Sequence, residues 1–155
     1  MPISVAEEKT GPMATILMAD DDEDDRLLAC EAMGEAGLSH DLRFVSDGRE
    51  LVDYLTRRGA YAPPAAAPRP AIVLLDVNMP RMNGWEALVS IRRHPELKGL
   101  PVVMMTTAWT DREVRRCYEL GANSFIQKPG SFGELVRILE NVDRYWFGTV
   151  SLPGA

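Results

Sequence analysis

The sequence predicts an α/β domain in which a parallel five-stranded sheet carries helices on both faces. Apolar runs typical of strands alternate five times with segments of helical periodicity, and this order implies right-handed crossovers between parallel strands. The run AIVLL, residues 71–75, is wholly apolar and contains β-branched residues, as expected of a central strand buried on both faces. Charged and hydroxyl residues follow the strand runs, where sheets of this kind bind ligands.

The first two strands and helices are predicted from apolar runs and from capping residues. We expect strands over 15–19 and 42–45, and helices over 24–36 and 49–58. Gly37 suits the C-cap of the first helix, because glycine accepts the left-handed conformation found there. Either Ser46 or Asp47 is expected to cap the N-terminus of the second helix.

A proline-rich loop over 57–70 precedes the central strand. Its four prolines are incompatible with regular helix or sheet. Long loops in compact domains are often functional or interactive, and a tolerated surface insertion is the alternative. The remaining elements are expected as strands over 71–75, 100–105 and 124–127 and as helices over 85–93, 111–120 and 131–144.

Composition limits the class of protein. The 155 residues suit one domain, which we place at 14–145, between a flexible leader (1–13) and an aromatic C-terminal extension (146–155). A net charge of -6 argues against general nucleic-acid binding, which needs basic patches. No apolar run is long enough to span a membrane and no signal peptide is recognisable, so we expect a cytoplasmic protein.

Cysteine and histidine are not expected to form a site. Cys30 and Cys117 match neither a metal pattern nor a disulfide framework, and we interpret both as ordinary buried or half-buried thiols. His40 and His94 fall in a loop and at a helix end, and we interpret both as surface residues.

The polar residues at the strand ends indicate phosphoryl chemistry. They are Asp20, Asp21, Asp76, Thr106, Thr107 and Lys128. Carboxylates brought together repel one another unless a cation intervenes, and Mg²⁺ prefers oxygen ligands. A carboxylate can accept a phosphoryl group, and a metal, a hydroxyl and an ammonium can stabilise its oxygens. The other acidic residues of the run MADDDEDDRLL, at 22–25, are expected to cap the first helix and meet its positive end.

Four motifs give the sequence a family resemblance. They are ILMADDD, LLDVNMPRMNGWE, PVVMMTTA and FIQKP, in this order and at receiver-like spacing. With them the chain resembles the receiver domain of two-component response regulators from residue 15 to about 144. The resemblance implies the flavodoxin-like receiver fold with strand order 2-1-3-4-5. It also implies a signalling domain that is no enzyme beyond its own phosphorylation and dephosphorylation.

The resemblance assigns an acceptor and a metal site. Asp76 would be the phosphoacceptor and would also hold Mg²⁺ together with Asp20 and Asp21, Asp21 directly and Asp20 partly through water. Asn78 would contribute its backbone carbonyl to the metal. We further expect Asn78 and Ala108 to tune the rate of dephosphorylation, Ala108 because a small residue leaves the phosphoryl group open to water.

The resemblance also assigns the residues that respond to phosphorylation. Thr106 would hydrogen-bond a phosphoryl oxygen and shift toward it, and Phe125 would be the switch aromatic that rotates inward. Lys128 would pair with the phosphate and with Asp76. A cis peptide bond is implied before Pro129, which X–Pro bonds permit at modest cost.

The proline-rich loop and the tail YWFGTVSLP resemble the single-domain response regulators associated with phytochromes. This implies a homodimer, a light-sensing histidine kinase as phosphoryl donor, and a downstream phosphotransfer or effector protein. Because few residues follow Arg144, we expect no output module in this chain. The alternative is a dimeric adaptor that keeps the receiver fold and works without phosphorylation. An aspartyl phosphatase would need an acid two residues beyond its nucleophile, where Asn78 stands.

Overall fold

A computed structural model describes residues 13–107 and 109–153, and its centre is a parallel sheet in the order β2-β1-β3-β4-β5. Each pairing in the sheet is parallel. The predicted fold class and strand order are therefore confirmed. The strands are β1 (Thr15–Ala19), β2 (Asp41–Val45), β3 (Ile72–Asp76), β4 (Val102–Thr106) and β5 (Ser124–Gln127).

The five α-helices of the described residues begin where side chains cap them. They are α1 (Glu23–Glu35), α2 (Gly48–Thr56), α3 (Gly84–Arg93), α4 (Asp111–Glu119) and α5 (Phe132–Trp146). Their N-caps are Asp22, Asp47, Asn83, Thr110 and Ser131, and each side chain accepts a hydrogen bond from a backbone N–H of the first turn. Such a cap stabilises a helix by about 1 kcal/mol. Within the described ranges, no helix has the length and apolar character needed to cross a membrane.

The central strands of the sheet are buried on both faces, as the run AIVLL predicts for β3. All five residues of β3 and of β4 are buried. Because side chains alternate along a strand, Val73 and Leu75 pack with α2, α3 and α4, whereas Ile72 and Leu74 pack with α1 and α5. Two apolar layers thus fix the sheet from both sides, and its carboxyl edge, where the strands end, is left for polar residues.

The proline-rich loop is ordered by a hydrogen bond within the loop and by one from α2. As expected it holds no α-helix or strand, but it contains a short 3₁₀ helix, Gly59–Tyr61. The Arg57 guanidinium donates to the Ala65 carbonyl at 2.8 Å, and the Tyr54 hydroxyl donates to the Pro68 carbonyl at 2.7 Å. The loop therefore lies against the domain as a fixed surface feature.

The C-terminal tail packs on its own domain. Helix α5 continues through Trp146, two residues beyond the predicted end, and Trp146 and Phe147 pack against the layer formed by α1 and α5. Phe147 also stacks on His40, with ring centroids 4.3 Å apart, and His40 Nε2 lies 2.6 Å from Asp143 Oδ1. The His40 side chain is thus mostly buried, and the expectation that it is a surface residue is wrong. The sequence gives no sign of this, because its partners lie about a hundred residues further along the chain.

The two cysteines are expected to differ in reactivity. Cys117 is fully buried, and this burial raises the pKa of its thiol to about 11, whereas Cys30 is exposed on α1 and not buried as expected. At pH 8 the Cys117 thiol stays protonated, and the thiolate is the reactive form. A thiol-reactive chromophore should thus modify one cysteine of the native protein and both in denaturant. Rapid modification of both in the native protein would contradict the structure.

Candidate functional site

The polar residues predicted at the strand ends meet at one edge of the sheet. Asp76 is the last residue of β3 and pairs in register with Met105, so Thr106 lies one position further along the neighbouring strand. Asp20 directly follows β1, and its backbone N–H donates to the Val45 carbonyl at 3.0 Å. Asp20, Asp76 and Thr106 are all buried. A buried polar group needs a partner, so this edge is chemically distinct from the apolar layers beside it.

Lys128 lies at the centre of the acidic residues. Its Nζ donates to Asp20 Oδ2 at 2.9 Å, to Asp25 Oδ2 at 3.0 Å and to Asp76 Oδ2 at 3.1 Å. Its backbone N–H donates to the Thr106 carbonyl at 2.8 Å, which places the residue just beyond the end of β5. The contact with Asp25 is absent from the sequence-based site, where Asp25 belongs only to the start of α1.

Burial and pairing set the charges in this site. Burial raises the pKa of Asp20 and of Asp76, and hydrogen bonds from Lys128 and from backbone N–H groups oppose the rise. Burial alone would lower the pKa of Lys128, but the hydrogen bonds to Asp20 and Asp25 and the charge of Asp76 outweigh it and raise the pKa. Lys128 therefore stays protonated, and its single positive charge faces the three carboxylates of Asp20, Asp25 and Asp76.

The carboxylates fit a hard divalent cation. Asp20, Asp21 and Asp76 each offer an oxygen, and these oxygens lie within 4.8 Å of one another. Opposite ligands of an octahedral Mg²⁺ ion are separated by about 4.2 Å, so the spacing suits such an ion after small adjustments. The donor set is all oxygen, which is the set that Mg²⁺, Ca²⁺ and Mn²⁺ prefer. The Asn78 N–H donates to Asp76 Oδ1 at 3.3 Å, which places the Asn78 backbone beside the predicted acceptor.

Thr106 offers an unused hydroxyl at the same edge. Among the described residues, its Oγ1 is the one buried side-chain polar atom without a hydrogen-bond partner. A buried hydroxyl in this state carries a desolvation cost of about 1–3 kcal/mol until a partner arrives. The hydroxyl is thus available to a ligand that brings an acceptor oxygen to the site.

The predicted switch aromatic lies beside an open groove. Phe125 is half-buried and meets the exposed Trp109 edge to face, with ring centroids 6.0 Å apart. Both residues line a groove of about 660 Å³ between α4 and β5. Ala108, the predicted rate-tuning residue, lies outside the described residues.

The bond before Pro129 departs from the resemblance. It is trans, and the cis bond within the described ranges lies between Pro63 and Pro64. Trans is the isomer that X–Pro bonds favour by about 0.5–1 kcal/mol, and nothing in the sequence alone overrides that preference.

Comparison with known proteins identifies the class. The chain belongs to the response regulator receiver domain family, which it matches over residues 16–140. The match includes every strand end that contributes to the site and most of α5.

The chain is similar to regulators of light-sensing systems. It is 32% identical to the response regulator Rcp1 of Synechocystis over 96% of this chain and 99% of that one. A response regulator in red light signalling of R. palustris is 35% identical, with a TM-score of 0.87 over 92% of this chain and all of that one. The phosphorylated cyanobacterial phytochrome response regulator RcpA is 32% identical, with a TM-score of 0.83 over 92% of this chain and 99% of that one. The resemblance to phytochrome-associated regulators is therefore confirmed.

Proposed function

We propose that this receiver domain takes a phosphoryl group from a sensor histidine kinase onto Asp76, in a reaction that requires Mg²⁺. One observation carries the proposal: a buried carboxylate at the end of β3 lies within reach of an ammonium, beside two further carboxylates. The unpartnered hydroxyl of Thr106 at the same edge supports it. Together these groups match the positive charge and hydrogen-bond donors that a phosphoryl group needs around its oxygens.

The residues divide the chemistry among them. An Asp76 carboxylate oxygen attacks the phosphorus of a phosphohistidine, the P–N bond breaks, and the electron pair leaves on the imidazole nitrogen. Asp20, Asp21, Asp76 and the Asn78 carbonyl would hold Mg²⁺, which would supply positive charge beside the phosphoryl oxygens. Lys128 supplies a second positive charge, and its three carboxylate partners hold it in place.

The signal leaves the site through Thr106 and Phe125. A phosphoryl oxygen gives the Thr106 hydroxyl its missing partner, and movement of Thr106 makes room for the half-buried Phe125 ring. Phe125 then leaves its edge contact with Trp109, which changes the groove between α4 and β5. A downstream protein reads this surface or receives the phosphoryl group.

We propose the kinase partner and the oligomeric state from the similarity of this chain to known response regulators. The similar regulators from R. palustris and from cyanobacteria are titled for red light signalling and for phytochrome, so we propose a phytochrome-type kinase as donor. We also propose a cytoplasmic homodimer in which the C-terminal segment lies near the interface. Phosphotransfer from each histidine kinase of the same genome, with the oligomer mass measured before and after, tests the donor and the assembly together.

Metal dependence of labelling is the direct test of the chemistry. We expect a small phosphodonor such as acetyl phosphate to add one phosphoryl group to the protein in the presence of Mg²⁺, measured as intact mass. Excess EDTA should suppress the labelling and renewed Mg²⁺ should restore it, because the paired carboxylates otherwise repel the incoming anion. The matched control Asp24→Asn, which removes an exposed charge from the same acidic run, should label like the wild type. Labelling that is indifferent to EDTA would refute the proposed mechanism.

A further inference from the structure

The loop between β3 and α3, residues 77–83, is held by close contacts at its base and at its tip. At the base, the Gly84 N–H donates to the Val77 carbonyl at 2.8 Å. At the tip, the Gly48 N–H at the start of α2 donates to the Met82 carbonyl at 2.8 Å. Since the loop carries Asn78, these contacts bear on the position of a proposed metal ligand.

The tip of the loop is a strained turn. Arg81 has a φ of +63°, which residues other than glycine rarely adopt. The Met82 N–H donates to the Pro80 carbonyl at 2.7 Å across Arg81. A three-residue turn with a positive central φ is the rarer and strained form of the γ-turn. Strain of this kind persists only where the surroundings over-determine it.

A buried carboxylate holds the strained residue. The Asp47 side chain is only 1% exposed, and its Oδ2 accepts from Arg81 Nε at 2.8 Å and from Arg81 Nη2 at 2.6 Å. Asp47 Oδ1 accepts from the Glu50 N–H at 2.8 Å and so caps α2. The Arg81 side chain is itself 74% exposed, so this pairing with the start of a helix restrains it more than packing does.

We propose that Asp47 and Arg81 are positioning residues of the phosphoacceptor site. The pair holds the turn at Arg81, and the turn holds the loop so that the Asn78 backbone carbonyl faces the metal position. The inference rests on the proposed function, because it concerns the site that binds Mg²⁺. It adds to the receiver chemistry two residues that lie outside the acidic cluster and touch neither metal nor phosphoryl group.

Variants that replace each charged side chain by a neutral one distinguish a positioning effect on Mg²⁺ affinity from a simple electrostatic effect. Asp47→Asn keeps a side chain that caps α2 as well as aspartate does, and Arg81→Gln keeps most of the side-chain length. Electrostatics alone would make the first variant bind Mg²⁺ more weakly and the second more tightly. Positioning predicts that both bind about tenfold more weakly, which is the usual effect of losing a residue that orients a metal ligand. The double variant should bind no more weakly than either single one, because both remove the same restraint.

The experiment titrates MgCl₂ into phosphodonor-free protein in a calorimeter. Arg49→Gln is the control, since it removes the same charge from the exposed surface of α2 and should leave Mg²⁺ affinity unchanged. Arg81→Gly should unfold in urea much as the wild type does, because glycine accepts the positive φ without strain, yet it should still bind Mg²⁺ more weakly. Wild-type affinity in Asp47→Asn and Arg81→Gln, or opposite changes in the two, would overturn the inference.

Hydrogen exchange without metal gives an independent readout. The amides of Gly48 and Met82 form the tip contacts, and they should exchange faster in Asp47→Asn and Arg81→Gln, whereas the amides of β3 should not change. If the wild-type protein binds no Mg²⁺, the proposed function fails and this readout alone decides whether the pair positions the loop. Unchanged exchange at both tip amides would overturn the inference in that case.

Discussion

Asp76→Asn is expected to abolish phosphoryl labelling of the folded protein. The variant removes the carboxylate that lies at the end of β3 beside Lys128, and an amide oxygen cannot form the aspartyl phosphate. Intact mass after incubation with acetyl phosphate and Mg²⁺ is the measurement. Asp25→Asn is the matched comparison, since it removes another carboxylate that contacts Lys128 and should still be labelled.

The folded state of Asp76→Asn is the necessary control. Burial raises the pKa of Asp76, so the site already disfavours its charged form, and an amide of the same shape can keep the hydrogen bond from Lys128. We therefore expect urea unfolding to show no loss of stability. Labelling that persists at the wild-type level would place the acceptor elsewhere in the chain.

Lys128→Met is expected to destabilise the metal-free protein by about 3 kcal/mol, because it leaves buried carboxylates without a cation. Asp20 and Asp76 are buried, and both accept a hydrogen bond from the Lys128 ammonium, which is itself mostly buried. Chemical denaturation in EDTA measures the loss. Mg²⁺ should reduce the loss, because a cation held by the same carboxylates replaces part of the missing charge.

Lys98→Met is the control for this second prediction. Lys98 is exposed after α3, and surface substitutions of this kind usually change stability by less than about 0.5 kcal/mol. A Lys128→Met protein as stable in EDTA as the wild type would show that the ammonium does not compensate the carboxylates of the site.

The elements that were predictable are those with a local physical signal. The run AIVLL predicts a buried central strand, because nothing in it tolerates water, and β3 is buried throughout. Ser131 and Thr110 lie at helix starts because their hydroxyls accept backbone N–H groups within the same turn. Helix ends were less predictable: α5 continues through Tyr145 and Trp146, since packing of Trp146 against the α1 and α5 layer extends it.

The acidic run at 20–25 shows where local signals end. The sequence predicts that some of these residues cap α1 and that others reach a site, since both roles follow from their place after a strand. Asp22 is the cap, whereas Asp25 contacts Lys128, 103 residues away. Which acidic residue caps the helix and which contacts Lys128 depends on the rotation of α1 about its axis against the sheet. That rotation is set by the packing of Ala29, Ala32 and Met33.

By itself the sequence determined the alternation of strands and helices, the burial of the central strand and the residues at the carboxyl edge of the sheet other than Asp25. These follow from side-chain periodicity and from the rule that parallel strands end on one edge. Only the tertiary structure decided the pairings of Lys128 with Asp25, of His40 with Asp143 and of Arg81 with Asp47. Each pairing joins residues that are distant in sequence. The charge or hydrogen-bonding capacity of a residue does not identify its partner, because the partner depends on which groups packing brings within about 3 Å of each other.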